Sequence, residues 1–333
     1  MLRNYSRRNF LRNTLGAGVV IAGSQITDIS AITSLPDNPY KTKGLATMTL
    51  GKTGVVIPRI AIGTGSRFCD IPTLDEAIGI LTYALDNGLY YWDTANQYSN
   101  GKTGVISEER LGYIVKDRRS EIFLSTKLLQ REPDKAKLEL EQSLKRLRTD
   151  HVDMLKIHSI NSLEDVADIC KKGNILDVIS KFKEEGITRF IGFSGHASAA
   201  ALKVLVETGR FDSMLIAMNH WAGYKEDRES LVIPAARDKG MGIMLMKAVR
   251  PKETIQGIVP EDLIRFALSL KGAHGVVIGM DSMKVVKSNI SILSDFKPMN
   301  EEEKLKYAMI LSPFFKHKNL EWMKEDYRDG NWG

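Results

Sequence analysis

From Arg59 onward the chain alternates short, almost wholly apolar runs with longer stretches whose apolar residues recur every three or four positions. The short runs predict strands at 60–63, 89–93, 121–126, 152–158, 188–194, 213–219, 241–246 and 274–279, being brief, continuous and rich in β-prone residues. The longer stretches predict helices near 73–87, 107–116, 133–147, 173–185, 198–208, 229–239, 260–271 and 282–294. In 173–185, Ile175, Leu176, Ile179 and Phe182 fall on one face, with Lys181, Lys183 and Glu184 on another. Start signals stand at Ser107, Pro133-Asp134 and Pro260-Glu261-Asp262, and Gly88, Gly186 and Gly240 follow helix ends.

Eight strands alternating with eight helices allow a closed parallel barrel or an open doubly wound sheet. The dinucleotide fingerprint that an open sheet would carry after its first strand fails at Gly63-Thr64-Gly65-Ser66-Arg67-Phe68. The barrel is favoured by what ends the strands. The second run, Tyr90-Tyr91-Trp92, ends on Asp93, with Tyr98 on the loop beyond. The third ends on Lys127 and the fourth on His158. One such residue is ordinarily a cap or a solvated end, but three in phase on one rim point to chemistry at the C-terminal edge of a barrel. A length of 333 residues fits one barrel with extensions.

Before the barrel, Met48 to Ile57 carries two β-prone arms around Gly51-Lys52-Thr53-Gly54, a hairpin signal. The Gly-Lys-Thr trio lacks the first glycine of a phosphate loop. Residues 35–46, with Pro36 and Pro39, read as linker. Residues 1–34 read as a targeting segment, with Ser6-Arg7-Arg8-Asn9-Phe10-Leu11-Arg12 ahead of a Gly-rich apolar core. The paired arginines are similar to a twin-arginine export signal, which implies the translocation machinery as a partner and an exported, periplasmic protein. No small-x-small cleavage site is obvious between Ser24 and Ser34. Residues 47–333 then form the barrel with its C-terminal tail. Asn300-Glu301-Glu302-Glu303 starts a helix in that tail, and its later aromatics are expected to pack on the barrel.

Without its first 34 residues the chain has 43 basic and 40 acidic residues, net +3, with no basic block, so nucleic acid is not an expected partner. Cys69 and Cys170 form no metal motif and leave at most one bridge.

Taken together these motifs resemble the aldo-keto reductase family over roughly Met48 to Leu293. Leu50-Gly51-Lys52-Thr53-Gly54 with Ile62-Gly63-Thr64-Gly65 is similar to its opening. Trp92-Asp93-Thr94-Ala95 with Tyr98, then Ser107-Glu108-Glu109-Arg110-Leu111-Gly112, is similar to its second strand, loop and helix. Ser125-Thr126-Lys127, Lys156-Ile157-His158 and Lys183 through Ser194 are similar to the strands that follow. The resemblance implies a (β/α)8 barrel, NAD or NADP as cofactor, a small carbonyl or sugar substrate, no metal, and a catalytic tetrad of Asp93, Tyr98, Lys127 and His158. A neighbouring lysine suits a tyrosine proton donor, whose ordinary pKa of about 10 makes it reluctant.

The implied cofactor set is less regular. Gly279, Asp281 and Asn289 match the phosphate segment, but Asp281 stands where many members carry Arg, which leans towards NAD(H). Ser194 matches a nicotinamide contact, while Gly195 and Leu215 stand where Asn and Gln are usual. Met246-Lys247 replaces a usual Tyr-Ser and is similar to a subgroup often fused to iron–sulfur segments, yet no cysteines follow. Asn219 and Lys247 are the polar groups expected near the cofactor. These departures keep a second expectation open, a non-catalytic or ligand-sensing barrel, and a plain cytoplasmic reductase is a third.

Overall fold

A computed structural model of the chain describes residues 38–196, 198–217, 228–250, 255–315 and 331–332. Eight parallel strands close into a barrel. They are β1 (Ile60–Gly63), β2 (Tyr91–Asp93), β3 (Phe123–Leu128), β4 (Val152–Ile160), β5 (Thr188–Gly195), β6 (Ser213–Ala217), β7 (Gly242–Met246) and β8 (Gly275–Gly279). Each strand pairs with its sequence neighbour, and β8 returns to β1 with Val276 opposite Ile60. This is the (β/α)8 architecture expected from the alternation. Its strands are buried on both faces, because helices cover the outside and side chains fill the inside. That is why they read as continuous apolar runs rather than alternating ones.

The helices follow the predicted start signals. Leu74–Asp86 is capped by Thr73, whose hydroxyl accepts from Glu76 N at 3.2 Å. Pro133–Leu147 opens on its proline, and Met283–Ser294 is capped by Ser282. Ile175–Glu184 buries Ile175, Leu176, Ile179 and Phe182, the expected face. Three helical regions differ from expectation, the first being an added single turn at Ser66–Cys69. The helix expected at 229–239 is two pieces, Arg228–Leu231 and Ile233–Asp238, and Pro234 sits in the first turn of the second because it has no N–H to continue the first. Leu163–Cys170 is a further helix, capped by Ser162 and burying only Val166 and Ile169, too few apolar positions for a periodic signal.

The hairpin forms as expected, with Met48 opposite Ile57. Its turn docks against the N-terminal end of β7: Lys52 N donates to Gly240 O at 2.6 Å. A Cβ on Gly51, at φ 50°, would lie 2.4 Å from Gly242 N, so only glycine lets the two backbones meet. Residues 38–46 lie on this same end, where Tyr40 is buried and stacks on Tyr90 at 4.8 Å. The tail begins as a helix, Glu301–Phe315. Asn331–Trp332 then pairs in parallel with Ser99–Asn100, just beyond Tyr98. Cys69 and Cys170 are both free thiols. Residues 1–34, expected to be a targeting segment, and the aromatics Trp322 and Tyr327 lie outside the described residues.

Candidate active site

Strand pleating sets the site. Side chains two apart point to the same side, so β2 offers Tyr91 and Asp93, β3 offers Ser125 and Lys127, and β4 offers Lys156 and His158. The register brings them level: Asp93 lies opposite Ser125, and Lys127 opposite Lys156. The polar groups therefore occupy two successive pleats inside the barrel near its C-terminal end.

Lys127 is fully buried and donates to Asp93 Oδ1, to Thr94 O at 2.8 Å and to the Tyr98 hydroxyl at 3.2 Å. Because Lys127 donates, the Tyr98 oxygen accepts on that side, and its own proton can be directed elsewhere. The ammonium also stands 4.6 Å from the centre of the Tyr98 ring. Burial pushes the Asp93 carboxyl up, but Lys127 and Lys156 outweigh it and hold the group below the usual carboxylate range. His158 is buried, edge-on to Tyr98 with ring centres 5.6 Å apart. Its Nδ1 lies 2.5 Å from the Gln97 amide, which fixes the ring's orientation. With the amide nitrogen assigned to that contact, Nδ1 accepts and the ring proton belongs on Nε2.

Asp93 and Tyr98 open onto a cleft of about 490 Å³ that runs to the start of the helix at Met283. Gly63, Arg67, Leu215, Met246, Lys247, Gly279, Asp281, Lys284 and Asn289 line it. A Cβ on Gly63 would meet Val277 Cγ1 at 2.9 Å, and one on Gly279 would meet Arg67 Cβ at 3.3 Å, so both glycines keep the wall thin. The helix start and the nearby cations Arg67, Lys247 and Lys284 suit the phosphates of an elongated cofactor. Asp281 is 3.5 Å from Arg67, which partly offsets its charge. Lys247 has φ 64° and Ser159, directly after His158, has φ 57°. Such non-glycine strain concentrates at functional rims.

Of the residues singled out in the sequence, Asp93, Tyr98, Lys127 and His158 come together, and Lys247, Gly279, Asp281 and Asn289 share the cleft. Asn289 is buried, with its amide on Met280 Sδ at 3.2 Å. Ser194 does not line the cleft; its hydroxyl accepts from Ser159 N at 3.3 Å and so fastens the residue after His158. Asn219 lies outside the described residues. Sequence reasoning missed Lys156, Ser125 and Gln97. The polar residues two apart on β3 and β4 were the available signal.

The profile of the Aldo/keto reductase family matches residues 59–251, more than half of the chain. The chain belongs to the aldo/keto reductase family. It is 30% identical over 216 residues to the uncharacterized oxidoreductase YrpG of Bacillus subtilis, covering 59% of this chain and 64% of that protein. It is 24% identical over 319 residues to L-galactose dehydrogenase of Arabidopsis thaliana, covering 82% and 95%. Among solved structures, the holo form of aldo-keto reductase AKR11C1 from Bacillus halodurans superposes with a TM-score of 0.66 at 19% identity, covering 80% of this chain and 96% of that chain. An aldo-keto reductase from Klebsiella pneumoniae in complex with NADPH superposes at 0.64 and 20% identity, covering 81% and 95%. At those identities the likeness is one of fold.

Proposed function

We propose that this reductase interconverts a carbonyl and an alcohol by hydride exchange with a nicotinamide dinucleotide, with Tyr98 as general acid in reduction and general base in oxidation. The observation that carries the reading is the buried chain Asp93–Lys127–Tyr98, with Lys127 Nζ 3.2 Å from the phenol. An adjacent ammonium stabilises the phenolate, bringing a tyrosine of ordinary pKa about 10 towards neutral pH. His158, held by Gln97, presents Nε2–H to orient the substrate oxygen and to offset the negative charge that grows on it. The bound dinucleotide supplies or accepts the hydride. Lys284, Lys247, Arg67 and the helix start at Met283 would hold its phosphates. Asp281 disfavours a 2′-phosphate, which leans the preference to NAD(H) over NADP(H).

A sugar is the substrate class we infer, because L-galactose dehydrogenase is a relative whose length the chain nearly spans. We also propose that residues 1–34 export the folded chain with its dinucleotide by the twin-arginine route; the stretch 38–46, expected as linker, instead packs on the barrel through Tyr40 and Leu45. A ligand-sensing barrel is the second reading, favoured by the apolar wall of Leu215 and Met246 where polar contacts are usual. Protein purified from the exported fraction, denatured and analysed by mass spectrometry should release a dinucleotide. Titration of stripped protein should then give tighter NADH than NADPH binding, with turnover of sugar or aldehyde. Binding without any turnover would favour the sensing barrel.

A further inference from the structure

The acid–base chain leaves one buried charge unused. Lys156 has no solvent exposure and donates to Asp93 Oδ2 at 2.5 Å, to Ser125 Oγ at 2.7 Å and to the Tyr91 hydroxyl at 3.3 Å. Ser125 gives its single proton to Asp93 Oδ2 at 3.1 Å, so towards Lys156 it acts as acceptor. Three acceptors thus surround three N–H bonds, the arrangement an ammonium requires. The neighbouring strands make room for it. A Cβ on Gly192 of β5 would press to 3.3 Å on Lys156 Cγ and to 2.6 Å on Ser213 O. The titratable groups facing it are Asp93 and Tyr91 from β2 and Lys127 from β3, while β5 and β6 bring the neutral Gly192 and Ser213. Burial, with the Asp93 charge beside it, raises the Tyr91 phenol and keeps it neutral.

Two ammoniums therefore share one carboxylate, and the cluster carries a net positive charge beside Tyr98. We propose that Lys156 is a positioning residue that occupies one oxygen of Asp93, leaves the Lys127 charge less neutralised, and thereby holds Tyr98 as phenolate near neutral pH, so that alcohol oxidation runs without an alkaline optimum. The inference rests on the reading of Tyr98 as the acid–base group. In oxidation the substrate O–H proton passes to the Tyr98 oxygen and the hydride on the same carbon goes to NAD(P)+; the proton leaves to solvent when Tyr98 ionises again. The reaction's equilibrium is untouched, and what Lys156 sets is the pH at which each direction breaks.

The test is the pH profile of kcat/KM for alcohol oxidation in the full-length protein and in Lys156→Met and Lys156→Gln, with dinucleotide affinity measured alongside. In the variants the rising limb should move alkaline by about one unit, costing about tenfold at pH 7 while the alkaline plateau and dinucleotide affinity stay near wild type. A uniform loss at every pH, or a limb that stays in place, overturns the proposal. If neither variant folds, the wild-type limb decides: below about 8 supports it, and at about 9 or above, close to an ordinary tyrosine, overturns it. Wild-type protein that binds dinucleotide but turns over neither direction overturns the Tyr98 reading and this one together. Turnover with an unmoved limb overturns this one alone.

Discussion

Two buried aspartates sit at opposite ends of the barrel. At the N-terminal end, Asp153 accepts from Arg189 and Arg119 at 2.8 Å each, from Tyr40 at 3.2 Å and from Leu124 N at 2.9 Å. At the C-terminal end, Asp93 lies between Lys127 and Lys156. Burial pushes both carboxyls up and the paired cations pull both below the usual range. The partners differ in kind. A guanidinium stays charged at any working pH and grips with a fixed fork, so Asp153 ties two neighbouring strands, the turn at Arg119 and the segment at Tyr40 together. An ammonium is a compact charge on a flexible stem that readily influences a neighbouring titratable group. The barrel thus uses one device, a buried anion between two cations, for cohesion at one end and, in our reading, for proton chemistry at the other.

Breaking the chemical end should give the largest effect. Tyr98→Phe is expected to lower kcat/KM by about 10²–10⁴-fold with dinucleotide affinity and melting temperature little changed, read by steady-state kinetics and thermal unfolding. Breaking the structural end should do the reverse. Asp153→Asn leaves two cations without their anion and is expected to cost about 3 kcal/mol in denaturant unfolding, the low end because Arg119 and Arg189 are partly exposed. The folded variant should keep the wild-type pH profile. Because Asp153 is depressed in the fold, its stabilisation is present above the ordinary carboxylate value and is lost as pH falls through the lower folded value. The acid limb of the melting curve should therefore flatten in this variant.

Glu108 sharpens the contrast as a buried carboxylate without a close cation pair. Its Oε1 accepts from Thr126 at 2.7 Å and Arg146 is 3.8 Å away. Burial pushes it from 4.5 up to about 7. The folded state then holds a proton that the unfolded state releases, so stability should fall as pH rises between those values, by about 1.4 kcal/mol per unit at most. Glu108→Gln should remove that slope in urea unfolding followed across pH. The smallest effect belongs to Gln97→Leu, which frees the His158 ring without touching charge. A loss of about tenfold in kcat/KM is expected, with the pH limb unmoved.

The barrel was legible because the β-strands are short, mostly apolar runs and the main helices keep an apolar stripe, so pattern and fold largely agree. Asp93, Lys127 and His158 were legible because polar residues at strand ends break that pattern. Lys156 was not, although it interrupts Met154-Leu155-Lys156-Ile157. Its meaning depends on the register that sets it opposite Lys127 and on Gly192 leaving space, and neither is local in sequence. Gln97 was hidden for a similar reason, since only the folded loop brings it to His158. Of the residues expected near a cofactor, Gly279 and Asp281 line the cleft, while the Ser194 hydroxyl accepts from Ser159 N.

Hydride transfer tests the account most directly. Protein loaded with dinucleotide deuterated on the transferable face should be mixed with an aldehyde or a reducing sugar. The product should be examined by mass spectrometry, with Tyr98→Phe run in parallel. The account predicts one deuterium on the former carbonyl carbon with wild-type protein and a trace at most with the variant. Bound dinucleotide with no label transferred, or equal transfer by the variant, would contradict it.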